Sequence, residues 1–307
     1  MKKIFSWAIL TVILLLCGCT SQNKPTDTSG YKITDSFGNS SYLPKNARVV
    51  SCYGSFAQCW ALSGGELAGV TDDAIGERNL KLSDDTKIIG TVKEINTENL
   101  INLNPDYVIL SSDIATHEKL SKSLTDMGIQ NGRFNIDSFE DYDSMMKQFC
   151  GYNNRDDLYE KYVTDVKKDI EKTISQIPQN GQKTYLLMRA YSTGIKVKRQ
   201  NIADDIIARF ATNIAEKNPS LLEDISVEEV IKENPDYIFV LTMGSEESAK
   251  EYLENNIENN PAWAGLDAVK SGNYIILPKD LFHYKPNNRW NESYEYIAKI
   301  IYPQIYR

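Results

Sequence analysis

Histidine is nearly absent from this 307-residue chain: His117 and His283 are the only two. A zinc or manganese site built from clustered His and carboxylates is therefore excluded. Cysteine is scarce as well, five in all, and only Cys52, Cys59 and Cys150 lie beyond residue 20. An odd count gives no disulfide framework, so three buried free thiols are expected. Positive charge is in deficit, with 34 Lys and Arg against 42 Asp and Glu and no basic stripe. Nucleic acid is not an expected partner of such a chain. Also missing are a Gly-x-Ser-x-Gly elbow, a Gly-x-Gly-x-x-Gly turn and a Walker loop, the usual marks of hydrolases, dinucleotide enzymes and nucleotidases. Nothing in the spacing of Cys59 and His117 makes them a nucleophile and base. No catalytic residue is predicted, and no intrinsic cofactor.

Long hydrophobic runs are missing too. The mostly apolar stretch Ile4 to Leu16 is shorter than the roughly 20 residues of a membrane-spanning helix. Lys2 and Lys3 precede it and Leu16-Cys17-Gly18-Cys19 closes it, which is a signal peptide ending in a bacterial lipobox. Residues 1–18 are predicted to be removed and Cys19 to be lipidated, anchoring the chain to a membrane by lipid alone. Residues 19–30 form a flexible tether of small polar residues. The remaining chain carries 32 basic and 42 acidic residues, a net charge of −10.

What is present is a repeat. Asn96-Thr97-Glu98 to Asn104-Pro105-Asp106-Tyr107 and Ser226-Val227-Glu228 to Asn234-Pro235-Asp236-Tyr237 match in register, 130 residues apart. Each reads as a short capped helix, a Pro-directed stop and a buried strand. The spacing suits a second lobe rather than a solenoid. Strands and helices alternate around both copies: Arg48–Ser51, Leu67–Val70, Lys87–Ile89, Tyr107–Leu110 and Asn131–Ile136 before, Thr184–Met188, Tyr237–Leu241 and Tyr274–Leu277 after. This favours parallel sheets covered by helices. A hairpin is expected around Phe37-Gly38-Asn39. Between the lobes, Leu158, Tyr162, Val166, Ile170, Ile174 and Ile177 make one apolar stripe over Arg155–Ile177. The predicted organisation is an N-terminal α/β lobe (31–153), a connector helix (154–178), a C-terminal α/β lobe (179–307) and a ligand cleft between the lobes.

The lipobox, the doubled Glu-x-x-x-x-x-x-Pro-Asp block, the single helical connector and the Arg289-Trp290 segment before Tyr302-Pro303 together resemble the periplasmic-binding family that delivers iron–siderophores, haem and cobalamin to ABC importers. The resemblance runs from about Tyr31 to Arg307. It implies a monomeric carrier on the outer face of the cytoplasmic membrane, serving a dimeric permease and its ATPase, with little lobe closure on binding. It also implies that Glu98 and Glu228, one per lobe, dock on permease arginines. The residues alone give a second reading, carboxylates in the first turn of a helix favoured by its dipole, and the two are compatible.

Ligands of parallel α/β sheets lie beyond the strand C-termini. That rule selects Tyr53 and Ser55, Asp72 and Asp73, and Ser111 to Asp113 in the first lobe. In the second it selects Arg189 and Tyr191, with Thr242 and Met243 across from them. The loop from Phe282 to Trp290 adds His283, Tyr284 and Arg289. The binding set expected from these is Tyr53, Ser55, Arg189, Tyr191, His283, Tyr284 and Arg289, with the arginines meeting an anionic ligand such as a ferric catecholate or hydroxycarboxylate. Trp290 and Tyr294 read as core at helical spacing. Lys196 to Arg199 alternates like an edge strand. A ferric siderophore is the first expectation. Haem, with His283 as axial ligand, and cobalamin are the alternatives.

Overall fold

The structure, a computed structural model, describes residues 29–178, 183–216 and 227–305. The signal peptide, Cys19, nearly all of the tether, Gly181 and Ser226 lie outside the described residues.

The chain enters through an antiparallel hairpin, β1 (Tyr31–Thr34) and β2 (Ser40–Leu43), turning at Gly38 with φ +82°. Five parallel strands follow: β3 (Val49–Ser51), β4 (Gly69–Val70), β5 (Lys87–Ile88), β6 (Tyr107–Ser111) and β7 (Gln130–Phe134). Their order in the sheet is β5-β4-β3-β6-β7. The second sheet holds β8 (Thr184–Tyr191), β9 (Gly194–Val197), β10 (Thr212–Asn213), β11 (Tyr237–Thr242) and β12 (Tyr274–Ile276). Its order is β10-β8-β11-β12, with β9 antiparallel along the far half of β8. Central strands β6 and β11 are buried on both faces along their whole length, as parallel strands covered by helices must be.

The two repeat copies occupy equivalent places. Asn104 and Asn234 both take left-handed φ, +47° and +40°, a conformation Asn tolerates at the end of a helix. Each following Asp then closes the same bond. Arg48 N–H, just before β3, donates to Asp106 Oδ2 at 2.7 Å, and Thr184 N–H, opening β8, donates to Asp236 Oδ2 at 2.9 Å. The block therefore fixes where the repeat strand meets the first strand of its lobe.

The inner faces of the two sheets share one core. Val49, Tyr107 and Ile109 from the first, and Tyr185, Leu187, Phe239 and Leu241 from the second, belong to a single apolar cluster. The C-terminal helix Trp290–Ile301 and the connector fill the space between them. Trp290 and Tyr294 are core residues of that helix, 0% and 2% exposed. The outer faces have separate clusters, around Val108 and Leu110 in one lobe and Ile238 and Val240 in the other.

The connector runs as one helical path from Asp156 to Ser175, with a π turn at Glu160–Thr164. An apolar step of four overshoots a 3.6-residue turn by about 40°, and the wider turn absorbs part of that drift. Val163, rather than Tyr162, becomes the fully buried residue there. Ahead of it lies a helix the sequence reading did not mark, Phe139–Asn153, started by a capping box between Ser138 and Asp141 and ended by Asn154 with φ +53°. Cys52, Cys59 and Cys150 are free and buried. Among the described residues no helix is long and apolar enough to cross a membrane.

Candidate functional site

A cleft of about 930 Å³ lies where the C-terminal ends of both sheets meet. Tyr53 reaches it from the turn after β3, Asp113 and Ile114 from after β6, and Asp137 from after β7. The second lobe contributes Arg189 and Tyr191 from the end of β8, Met243 to Ser245 from after β11, and Lys279 with Phe282 to Lys285 from beyond β12.

Five of the seven residues in the expected binding set thus face one space, Tyr53, Arg189, Tyr191, His283 and Tyr284, together with Asp113 and Met243 from the same strand-end rule. Two others do not. Ser55 is 1% exposed, because it lies in the first turn of the helix Gly54–Leu62, which starts two residues before the Phe56 expected from the sequence and turns it inward. There its carbonyl accepts from Asn287 Nδ2 at 2.9 Å. Arg289 lies outside the cleft lining, held by Asp280 at 2.7 Å and by Glu292 at 2.7 and 3.0 Å. Asp73 also points away: its carboxylate accepts from Gly54 N–H at 2.7 Å and from Thr71 at 2.6 Å.

Sequence reasoning missed Glu77, Lys93, Asp137, Lys279 and Lys285. Lys285 sat in the aromatic loop already noted, but its partners lie 149 and 172 residues away in the chain, just after β7 and β6, and carry no local signal. Its ammonium donates to Ile136 O at 2.6 Å and to Asp113 at 2.8 Å. Asn287, at φ +55°, ties the same loop to the first lobe through Gln58 at 2.7 Å and the Cys59 thiol at 3.3 Å.

Charge is distributed unevenly across the cleft. Arg189 Nε is buried with no hydrogen-bond partner among the described residues, which is costly unless something else supplies an acceptor. Lys198 lines the same wall, while Arg199 is paired with Glu216 at 2.7 Å and Lys279 donates to Gly244 O at 2.7 Å. Burial, reinforced by Arg189, Lys279 and Lys285, pulls the His283 pKa down to about 4. The imidazole is therefore neutral at physiological pH. Burial also pushes the Tyr53 and Tyr284 phenols up, so both remain hydrogen-bond donors.

The arrangement offers a fork of guanidinium donors, phenols and a neutral imidazole around a wide, wet space. It suits recognition of oxygen anions. It offers no nucleophile with a base. His117 is buried and committed at both nitrogens, to Ser111 N–H at 3.0 Å and Val92 O at 2.9 Å, and burial holds the Cys59 thiol up at about 12. Among the described residues no group of three His, Cys, Asp or Glu is placed to hold a metal ion.

Glu98 and Glu228 sit in the first turns of the helices Thr97–Asn102 and Val227–Glu233, both exposed. Asn96 caps the first of these helices by accepting from Asn99 N–H at 2.9 Å. A helix that feeds a parallel strand runs opposite to it. Both glutamates therefore lie toward the strand C-termini, on the face where the cleft opens.

Comparison with known proteins completes the picture. The Periplasmic binding protein family matches residues 49–281. The chain is 26% identical to the Fe(3+)-citrate-binding protein YfmC of Bacillus subtilis over 97% of this chain and 96% of that one. It is 25% identical to the petrobactin-binding protein YclQ of the same organism, over 90% and 91%. An ABC transporter substrate-binding protein from Listeria monocytogenes shares the fold with a TM-score of 0.68 at 17% identity, over 84% of this chain and 99% of that one.

Proposed function

The chain belongs to the periplasmic binding protein family, and from that premise we propose that it is the lipid-anchored solute-binding component of an ABC importer for a ferric siderophore or ferric hydroxycarboxylate. The observation that carries this reading is Arg189, whose Nε is buried without an acceptor among the described residues, in the wall of a cleft that also presents Tyr53, Tyr191, His283 and Tyr284. A guanidinium left without an acceptor in a half-buried wall is ready for planar anionic oxygens, and YfmC and YclQ, similar over nearly their whole length, are named for ferric citrate and petrobactin. The protein grips the outer oxygens of the complex and leaves the iron to its own chelator. No bond is made or broken in the ligand, so the protein works as a carrier rather than an enzyme.

The core shared by both lobes keeps closure small, so ligand and permease meet a nearly preformed surface. Glu98 and Glu228 dock that surface on a two-fold symmetric permease driven by its ATPase. Cys19 holds a monomer at the outer face of the cytoplasmic membrane.

Tryptophan fluorescence titration of residues 21–307 with ferric citrate, ferric catecholates, haemin and cobalamin tests the reading. Saturable submicromolar quenching by one ferric complex, with its charge-transfer band unchanged, is expected. A sharpened Soret band with haemin, lost in His283→Ala, would make the protein a haem carrier instead.

A further inference from the structure

The N-terminal wall of the cleft should repel the ligand just described. Asp113 and Asp137 stand at the ends of adjacent strands, each with a side chain 41% exposed, and both line the cleft. Between them lies the ammonium of Lys285, whose side chain is only 5% exposed. It is 2.8 Å from Asp113 Oδ2, 3.7 Å from Asp137 Oδ1 and 2.6 Å from Ile136 O. Ile136 O and Asp113 Oδ2 accept two of its N–H donors, and Asp137 is close enough for an ion pair but not for a hydrogen bond. Lys285 is held in place from behind, since its carbonyl accepts from Arg78 at 2.8 Å. It is therefore tied chiefly to the first lobe's own oxygens, although it lines the cleft.

We propose that Lys285 is a specificity-determining residue that acts by charge masking: its ammonium is a built-in counter-cation shared by Asp113 and Asp137, which cuts the negative charge this wall turns toward the ligand from two to one. This rests on the reading of the cleft as a site for an anionic iron complex. The geometry separates masking from direct contact, because masking depends on the two carboxylates and contact does not.

The test is a set of ferric citrate titrations with wild type, Lys285→Met, Asp113→Asn and the triple variant Lys285→Met/Asp113→Asn/Asp137→Asn, with a thermal melt of each. Exposing the carboxylates in Lys285→Met weakens binding by about tenfold or more. The triple variant, whose cluster is neutral like that of Asp113→Asn, binds at least as tightly as wild type. Asp113→Asn, which frees positive charge, binds severalfold tighter. A triple variant as weak as Lys285→Met would overturn masking in favour of direct contact, and weaker binding by Asp113→Asn would overturn it outright. If Lys285→Met melts too low to titrate, the sign of the Asp113→Asn effect decides. Wild type that ignores every anionic ferric complex would remove the functional reading and this inference with it; wild type that binds while the variants follow another pattern removes the inference alone.

Discussion

The two lobes are built alike and charged unlike. In each, a left-handed Asn, a Pro and an Asp set a buried strand beside the lobe's first strand, and the same hydrogen bond closes the joint. The strand ends then diverge. The first lobe presents Glu77, Asp113 and Asp137 against one cation, Lys93, whereas the second presents Arg189, Lys198, Arg199, Lys279 and Lys285. The frame is repeated because packing and backbone hydrogen bonds demand it. The loops are free of that demand, so function could make them different.

The largest expected effect breaks the symmetry of docking. Charge reversal of both Glu98 and Glu228 should abolish uptake by cells while ligand affinity stays within experimental error. Either reversal alone should leave partial uptake, because one lobe still docks. Loss of affinity in the purified double variant would show that these residues shape the cleft instead.

Next comes the charge difference itself. Arg189→Ala removes charge-assisted hydrogen bonds worth ~1.5–3 kcal/mol, so ferric complex affinity should fall by about 30-fold. Calorimetric titration would read this directly. Arg189→Lys should recover only part of the loss, since a point charge does not reproduce the fork.

The structural joint is the same kind of bond in both lobes but not of the same strength. Asp236 accepts from Thr184 N–H, the Thr184 hydroxyl and Lys183 Nζ, while Asp106 accepts from Arg48 N–H. Asp236→Ala should therefore cost about 2 kcal/mol and Asp106→Ala about 1 kcal/mol in urea melts. Burial opposes ionisation of Asp236, but the bonds from Thr184 and Lys183 win and hold its carboxyl below the usual range. Its stabilisation is thus present above the ordinary carboxylate pKa and lost as pH falls through the lowered one. Asp236→Asn should flatten that part of the acid limb.

The smallest effect is a pH signature of the cationic side of the cleft. His283 has a folded pKa near 4 against 6.5 for the free side chain. Protonation therefore favours the unfolded chain, and stability should decline as pH falls from about 6.5 to about 4. His283→Gln should remove this decline. Ligand affinity between pH 6.5 and 8 should not change in either protein.

Much of the frame was readable in the sequence, because it is written in short-range terms: apolar strands, the doubled Asn-Pro-Asp-Tyr, the connector stripe. The helix Phe139–Asn153 was not, since its acidic first turn uses Asp141 where a capping box is usually recognised by Glu or Gln. The strand-end rule brought Tyr53, Arg189 and Tyr191 to the cleft. It failed for Ser55, where a helix that starts two residues before the expected Phe56 takes the side chain into the core. Arg289 looked like a ligand group because its carboxylate partners, Asp280 and Glu292, are ordinary surface residues until the chain folds. Lys285 was hidden for the opposite reason: its role depends on strands contributed by the other lobe.

The most direct test of the account is a crystal structure of the protein with a bound ferric siderophore or ferric citrate. The account predicts ligand oxygens within hydrogen-bond distance of the Arg189 guanidinium, on the second lobe's side of the cleft, and no protein atom on the iron. Anionic oxygens turned toward Asp113 and Asp137, or iron coordinated by His283 or Tyr284, would contradict it.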